Sequence, residues 1–156
     1  MDHAGFMRHA IALSRRHMQA GDGGPFGAVI VLDGKIVGEG WNRVTSQNDP
    51  TAHAEVVAIR EACGRLKRFD LRGAVLYTSC EPCPMCLAAT YWARIDRLYY
   101  GNTQADAAAI EFDDAFLYRE LALPMPQRSL RCEQILHTEA RSVFEEWAAK
   151  PDKVWY

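Results

Sequence analysis

The chain has 156 residues, 49% of them hydrophobic and 24% charged, with a formal net charge of −2 and a pI near 6.2. This is the composition of one globular domain with a sizeable core, and the charge balance argues against a large phosphate-binding surface. No apolar run is long enough to cross a bilayer, and Met1-Asp2-His3-Ala4-Gly5 lacks the basic-then-apolar pattern of a secretory signal, so a cytoplasmic protein without membrane contact is expected.

Residues 2–20 read as an amphipathic helix, with Phe6, His9/Ala10, Leu13, His17 and Ala20 at helical spacing and Arg8, Arg15 and Arg16 available to water. His3, His9 and His17 have no partner motif nearby and read as surface or packing residues. Gly21-Asp22-Gly23-Gly24-Pro25 stops the helix. Phe26 to Leu32 is a short apolar strand, Asp33-Gly34 is a two-residue hairpin signal, and Lys35 to Gly40 runs back. Asn42, at the end of that strand, is either a turn asparagine or a hydrogen-bonding group able to read the edge of a base. Thr45 to Pro50 is a polar loop. Thr51 is predicted to cap a helix from about His53 to Cys63.

Ala74 to Thr78 reads as a buried strand, and a helix follows from about Cys83 to Trp92, with Pro84 tolerated in its first turn. Leu98-Tyr99-Tyr100 is a further strand. Residues 104–109 tolerate helix, and a second helix starts near Phe112, where Asp113 or Asp114 could cap it. Leu130 to Leu136 is predicted as a last strand, exposed on one side. Residues 139–150 form an amphipathic helix carrying Phe144 and Trp147, which Pro151 ends before Val154-Trp155-Tyr156. This β-β-α-β-α-β order implies a mixed sheet with helices on both faces.

Pro82-Cys83-Pro84-Met85-Cys86 and His53-Ala54-Glu55 carry the chemistry. Two cysteines at i and i+3 can present both sulfurs to one ion, and His53 can add a nitrogen. Three such ligands leave a tetrahedral zinc with an open position, as catalytic rather than structural sites do. His53 and Glu55 are two apart and cannot share a helix face, but both can meet an ion that lies off the helix's first turn, where unpaired N–H groups and the positive dipole end also point. Of the five cysteines, Cys63, Cys80 and Cys132 remain, and these read as reduced, buried thiols.

The order H-x-E…P-C-x-x-C matches the known signature of zinc nucleobase deaminases. Over nearly its whole length the sequence resembles the cytidine deaminase superfamily, through Pro50-Thr51-Ala52-His53-Ala54-Glu55 and Glu81-Pro82-Cys83-Pro84-Met85-Cys86. Within it the chain is similar to the bacterial guanine deaminases, through Gly23-Gly24-Pro25-Phe26-Gly27-Ala28, Asn42, Tyr91-Trp92-Ala93-Arg94, Phe112-Asp113-Asp114 and a terminal Tyr156. The resemblance implies an α/β fold, a three-layer α/β/α sandwich around a five-stranded mixed sheet. It implies one domain over residues 1–156 and a homodimer in which a C-terminal segment, about 139–156, is exchanged. His53, Cys83 and Cys86 would hold Zn²⁺. Asn42 and Asp114 would hold a small nucleobase, with Phe26, Ala54, Trp92 and Tyr156 around it.

The two thiolates cancel the charge of the ion, so water there needs a neighbouring base. Glu55 fits that role. It would take a proton from the attacking water and return protons to the ring nitrogen and the leaving amine, converting guanine to xanthine and ammonia in purine catabolism. Glu81 is either a second acid or a structural carboxylate before Pro82. The rival readings are a tRNA adenosine deaminase, disfavoured by the charge balance, and a non-catalytic module in which zinc only holds the fold, disfavoured by Glu55.

Overall fold

The computed structural model describes residues 2–156. They form two compact units, one running to Leu117 and one from Tyr118 to Tyr156. Among the described residues no helix is long and apolar enough to cross a membrane.

In the first unit, α1 (His3–Gln19) is capped by Asp2, whose side chain accepts from Gly5 N. It buries Phe6, Ala10 and Leu13, one stripe of the predicted helix. β1 (Gly27–Leu32) and β2 (Lys35–Trp41) pair antiparallel. Asp33 and Gly34 both take positive φ, 51° and 73°, the backbone a type I′ turn requires. β1 also pairs antiparallel with β3 (Val75–Cys80), and β3 pairs parallel with β4 (Arg97–Asn102), giving the order β2-β1-β3-β4. Alternate residues of β1 face opposite layers. Val29 and Val31 join Tyr77 under α1, while Ala28 and Ile30 join Leu76 under α3 (Ala54–Leu66).

The sheet has four strands rather than the expected five. The segment 130–136 forms no strand. Leu130, Ile135 and Leu136 are all exposed, and Leu136 turns left-handed at φ 53°, so the apolar alternation has no neighbouring ladder to bury it. Cys132, expected among the buried thiols, is exposed. Thr51 does not cap α3 either. It sits in a turn bonded to Asp49, and His53 is the N-cap.

What seats α3 is a seam of small residues. A Cβ on Gly40 would lie 1.9 Å from the Ala54 carbonyl oxygen, and one on Gly38 2.4 Å from that of Ala58. The helix backbone therefore rests directly on β2, with its first turn at the end of the sheet where Trp41 and Asn42 leave the strand. The shorter elements of this unit are α2 (Val44–Gln47), α4 (Pro84–Trp92), α5 (Gln104–Ala109) and the start of α6 (Ala115–Ala122). The second unit carries the end of α6, a short 3₁₀ turn at Met125–Gln127 and α7 (His137–Ala149). None of its residues is buried.

Candidate active site

Two helix starts build the site. His53 is the N-cap of α3 and Cys83 the N-cap of α4, both with extended backbone and neither using its side chain to cap its helix. Their side chains are thereby free to converge. His53 Nδ1 lies 3.6 Å from Cys83 Sγ and 3.5 Å from Cys86 Sγ. Zinc bonds of about 2.0–2.1 Å to nitrogen and about 2.3 Å to sulfur, at tetrahedral angles, set N···S edges of roughly 3.6 Å. The three side chains therefore fit a zinc ion, and all three ligand atoms lie within 4.8 Å of one another. The fourth corner is left for a ligand other than these side chains.

The protonation pattern agrees. Hydrogen bonds from Cys86 and His53 pull the Cys83 thiol down to about 4, while the bond to Cys83 holds Cys86 far above the usual thiol range and His53 above its ordinary value. The metal-free pair thus keeps one thiolate and one thiol, which is the preference a cation between them would overturn. Cys80 is different. Burial and the carboxylates of Glu55 and Asp114 push it up to about 11, so it stays a thiol, as its reading as packing requires.

Glu55 is buried on the first turn of α3. Burial raises its pKa, which lets the carboxyl carry a proton nearer neutrality. The Thr78 hydroxyl, 3.0 Å from Glu55 Oε1 and 3.1 Å from the Cys80 carbonyl oxygen, orients it. Thr78 escaped the sequence reading because a β-branched residue in a buried strand carries no signal beyond packing.

A cavity of about 260 Å³ opens beside the cluster. Phe26 and Phe112 form an apolar wall, their rings edge to face at 5.0 Å. Asn42, Thr45, Glu55, Glu81 and Asp114 supply its polar lining, together with His53 and Cys83. Asn42 Oδ1 accepts from Gly24 N and Val44 N, at 3.3 and 3.1 Å. With its oxygen committed to backbone, the amide has its Nδ2 left to offer as a donor. Asp113 Oδ1 accepts from Ala115 N, the first residue of α6, in a local turn, while Asp114 lines the cavity. Burial and the neighbouring Cys83 raise the Asp114 pKa. Glu81 Oε2 accepts from Gln104 N at 3.0 Å, which ties it to the start of α5.

Of the other expected site residues in this unit, Ala54 and Trp92 are not among those lining the cavity. Ala54 is buried on the first turn of α3, under β2. Trp92 ends α4, exposed, beside Ala88, Tyr91 and Arg94. Tyr156 is exposed in the second unit. Phe112 was legible only as part of Phe112-Asp113-Asp114 and not as a wall of the site.

Residues 1–102 match the family model for the cytidine and deoxycytidylate deaminase zinc-binding region. The chain belongs to this deaminase family. Along its full length it is 49% identical to the guanine deaminase of Bacillus subtilis, with 100% of both chains covered. The X-ray structure of a guanine deaminase from Bacillus subtilis superposes at a TM-score of 0.97, covering 100% of this chain and 99% of that one. The chain is also similar to a tRNA-specific adenosine deaminase of Haemophilus influenzae, 37% identical over 138 residues, 85% of this chain and 79% of that one. A solved guanine deaminase from Nitrosomonas europaea is 26% identical, covers 96% of this chain and 86% of its own, and superposes at a TM-score of 0.68.

Proposed function

We propose that this chain hydrolyses guanine to xanthine and ammonia, as a zinc-dependent enzyme of purine breakdown in the cytoplasm. The observation that carries the reading is the pair Asn42 and Asp114 at one small cavity. Asn42 has a donor to offer and Asp114 an acceptor. Guanine carries a carbonyl oxygen for the first and N–H groups for the second. Adenine lacks both the carbonyl and the N1–H, and a site built to bond a group strongly rejects analogues without it. The cavity is smaller than the ~300–1,000 Å³ of drug-sized sites, which suits a free base.

His53, Cys83 and Cys86 would hold the zinc. Bound zinc supplies Lewis acidity and lowers the pKa of water. Glu55 takes a proton from the water that attacks C2, held in position by Thr78. It then returns protons to the ring nitrogen and to the departing 2-amino group. Asp114 and Asn42 orient the ring, Phe26 and Phe112 exclude water from its faces, and Glu81 fixes the loop that leads to α5.

The working unit is proposed to be a homodimer with the C-terminal segment exchanged. Two observations support this. The second unit has no buried residue, and Val143, Phe144, Trp147, Trp155 and Tyr156 are all exposed, apolar side chains that a partner would remove from water.

Ammonia release from guanine, adenosine, cytosine and tRNA by the purified zinc-loaded protein tests the assignment. Guanine is expected to be turned over fastest. Faster release from adenosine or tRNA overturns it in favour of the adenosine-deaminating branch of the family.

A further inference from the structure

The segments that hold Asn42 are braced by His17, Asp22 and Trp41, which do not line the cavity. The His17 ring, in the last turn of α1, stacks on the Trp41 indole at 3.7 Å between centroids and 8° between planes. The Arg43 guanidinium carbon lies 3.9 Å from the centroid of the same indole. Two flat groups this close cannot share one face, so Trp41 is sandwiched between them. Arg43 Nε is buried and, among the described residues, has no hydrogen-bond partner, so this cation is committed to the indole face.

His17 Nδ1 also bonds Asp22 Oδ2 at 2.6 Å. Asp22 opens the turn Asp22-Gly23-Gly24, and that turn touches Asn42 directly. Gly24 N donates to Asn42 Oδ1, and a Cβ on Gly23 would come within 2.5 Å of that oxygen. One imidazole is therefore tied to both segments that hold Asn42, the end of β2 through Trp41 and the glycine turn through Asp22.

We infer that His17, Trp41 and Asp22 are positioning residues that set the rotation of the Asn42 amide, so that the cavity meets a donor and not an acceptor. The inference rests on Asn42 binding the base. If the clamp loosens, the glycine turn and the strand end part, and the amide can turn over. An oxygen would then face the carbonyl oxygen of guanine. Glu55 and the zinc ligands lie at the starts of α3 and α4, and the hydrogen bond and ring contacts of the clamp do not reach them. Loss of His17 should therefore weaken substrate binding and spare the chemical step.

The test uses the zinc-loaded protein and the variants His17→Leu, Asp22→Ala, Asn42→Ala and His17→Leu/Asn42→Ala. His17→Leu is expected to raise KM for guanine about tenfold with kcat within about threefold, the pattern of lost ground-state binding. Asp22→Ala, which removes one arm at a surface turn, should act in the same direction and serves if His17→Leu fails to fold. In the double variant the two effects should not add, because both act through one amide. The nitrogen-15 signals of the Asn42 side-chain amide should be one sharp pair in the parent protein and shifted or doubled in His17→Leu and Asp22→Ala. An unchanged KM in a folded clamp variant, additive effects, or unchanged amide signals overturns the clamp. The amide signals do not depend on turnover. A protein whose amide responds but which leaves guanine untouched keeps the clamp and loses the guanine reading, and the converse result loses only the clamp.

Discussion

In the proposed reaction Glu55 carries the proton traffic, a role that its burial and raised pKa suit. Glu55→Gln keeps the shape and removes the base, so turnover of guanine is expected to fall by about 10²–10⁴-fold while zinc content by elemental analysis stays at that of the parent. The same burial has a stability signature. The folded pKa is raised above 4.5, so the folded metal-free protein binds that proton more tightly than the unfolded chain. Its stability contribution is present below about 4.5 and is lost as pH rises through the folded pKa. Metal-free Glu55→Gln lacks that loss and should unfold at a higher temperature than metal-free parent protein at pH 7. The adjacent acids separate cleanly. Asp114→Ala should severely impair guanine turnover with zinc retained. Asp113→Ala should cost about 1 kcal/mol of stability or less and leave turnover near the parent's. Equal losses in the two variants would return both acids to helix capping.

The legibility of the elements followed how local their causes were. The Asp33-Gly34 turn, the apolar run of β1 and the stripe of α1 are short-range patterns, and each stood where predicted within a residue or two. The ligand triad was legible because its spacing is itself the chemistry. Thr51 failed as a cap because the cap of α3 had to be His53 itself, left without a capping bond so that its ring could face the cysteines. The strand at 130–136 failed because a strand exists only through its neighbour. The seam between α3 and β2 was hidden for the same reason, since Gly38 and Gly40 read only as part of the returning strand Lys35 to Gly40. Gly40→Val tests it. Overpacking typically costs 1–3 kcal/mol, and here the obstacle is helix backbone. Thermal unfolding should show a loss at or above the top of that range, and zinc affinity should fall with it, because α3 carries His53.

At the scale of the whole molecule, the proposed dimer gives the exposed second unit something to pack against. Val154, Trp155 and Tyr156 are exposed, although apolar ends are costly to leave in water. In the proposed dimer, the tail of one copy closes the site of the other and keeps water from the reacting base. Deleting residues 154–156 should lower guanine turnover by orders of magnitude, with zinc content and thermal midpoint close to the parent's. Full activity after deletion would show that the tail is no lid, and loss of zinc or of folding would make it structural.

The meeting of His53 with Cys83 would also make a bound ion a clasp. The chain between them contains all of α3 and β3, so an ion bound to both ends closes a loop and removes the entropy that the open loop would regain on unfolding. Chelation should then act unevenly. Amide exchange should speed up first at the beginnings of α3 and α4, while α1 and β1, buried against each other, keep the protection of the whole fold.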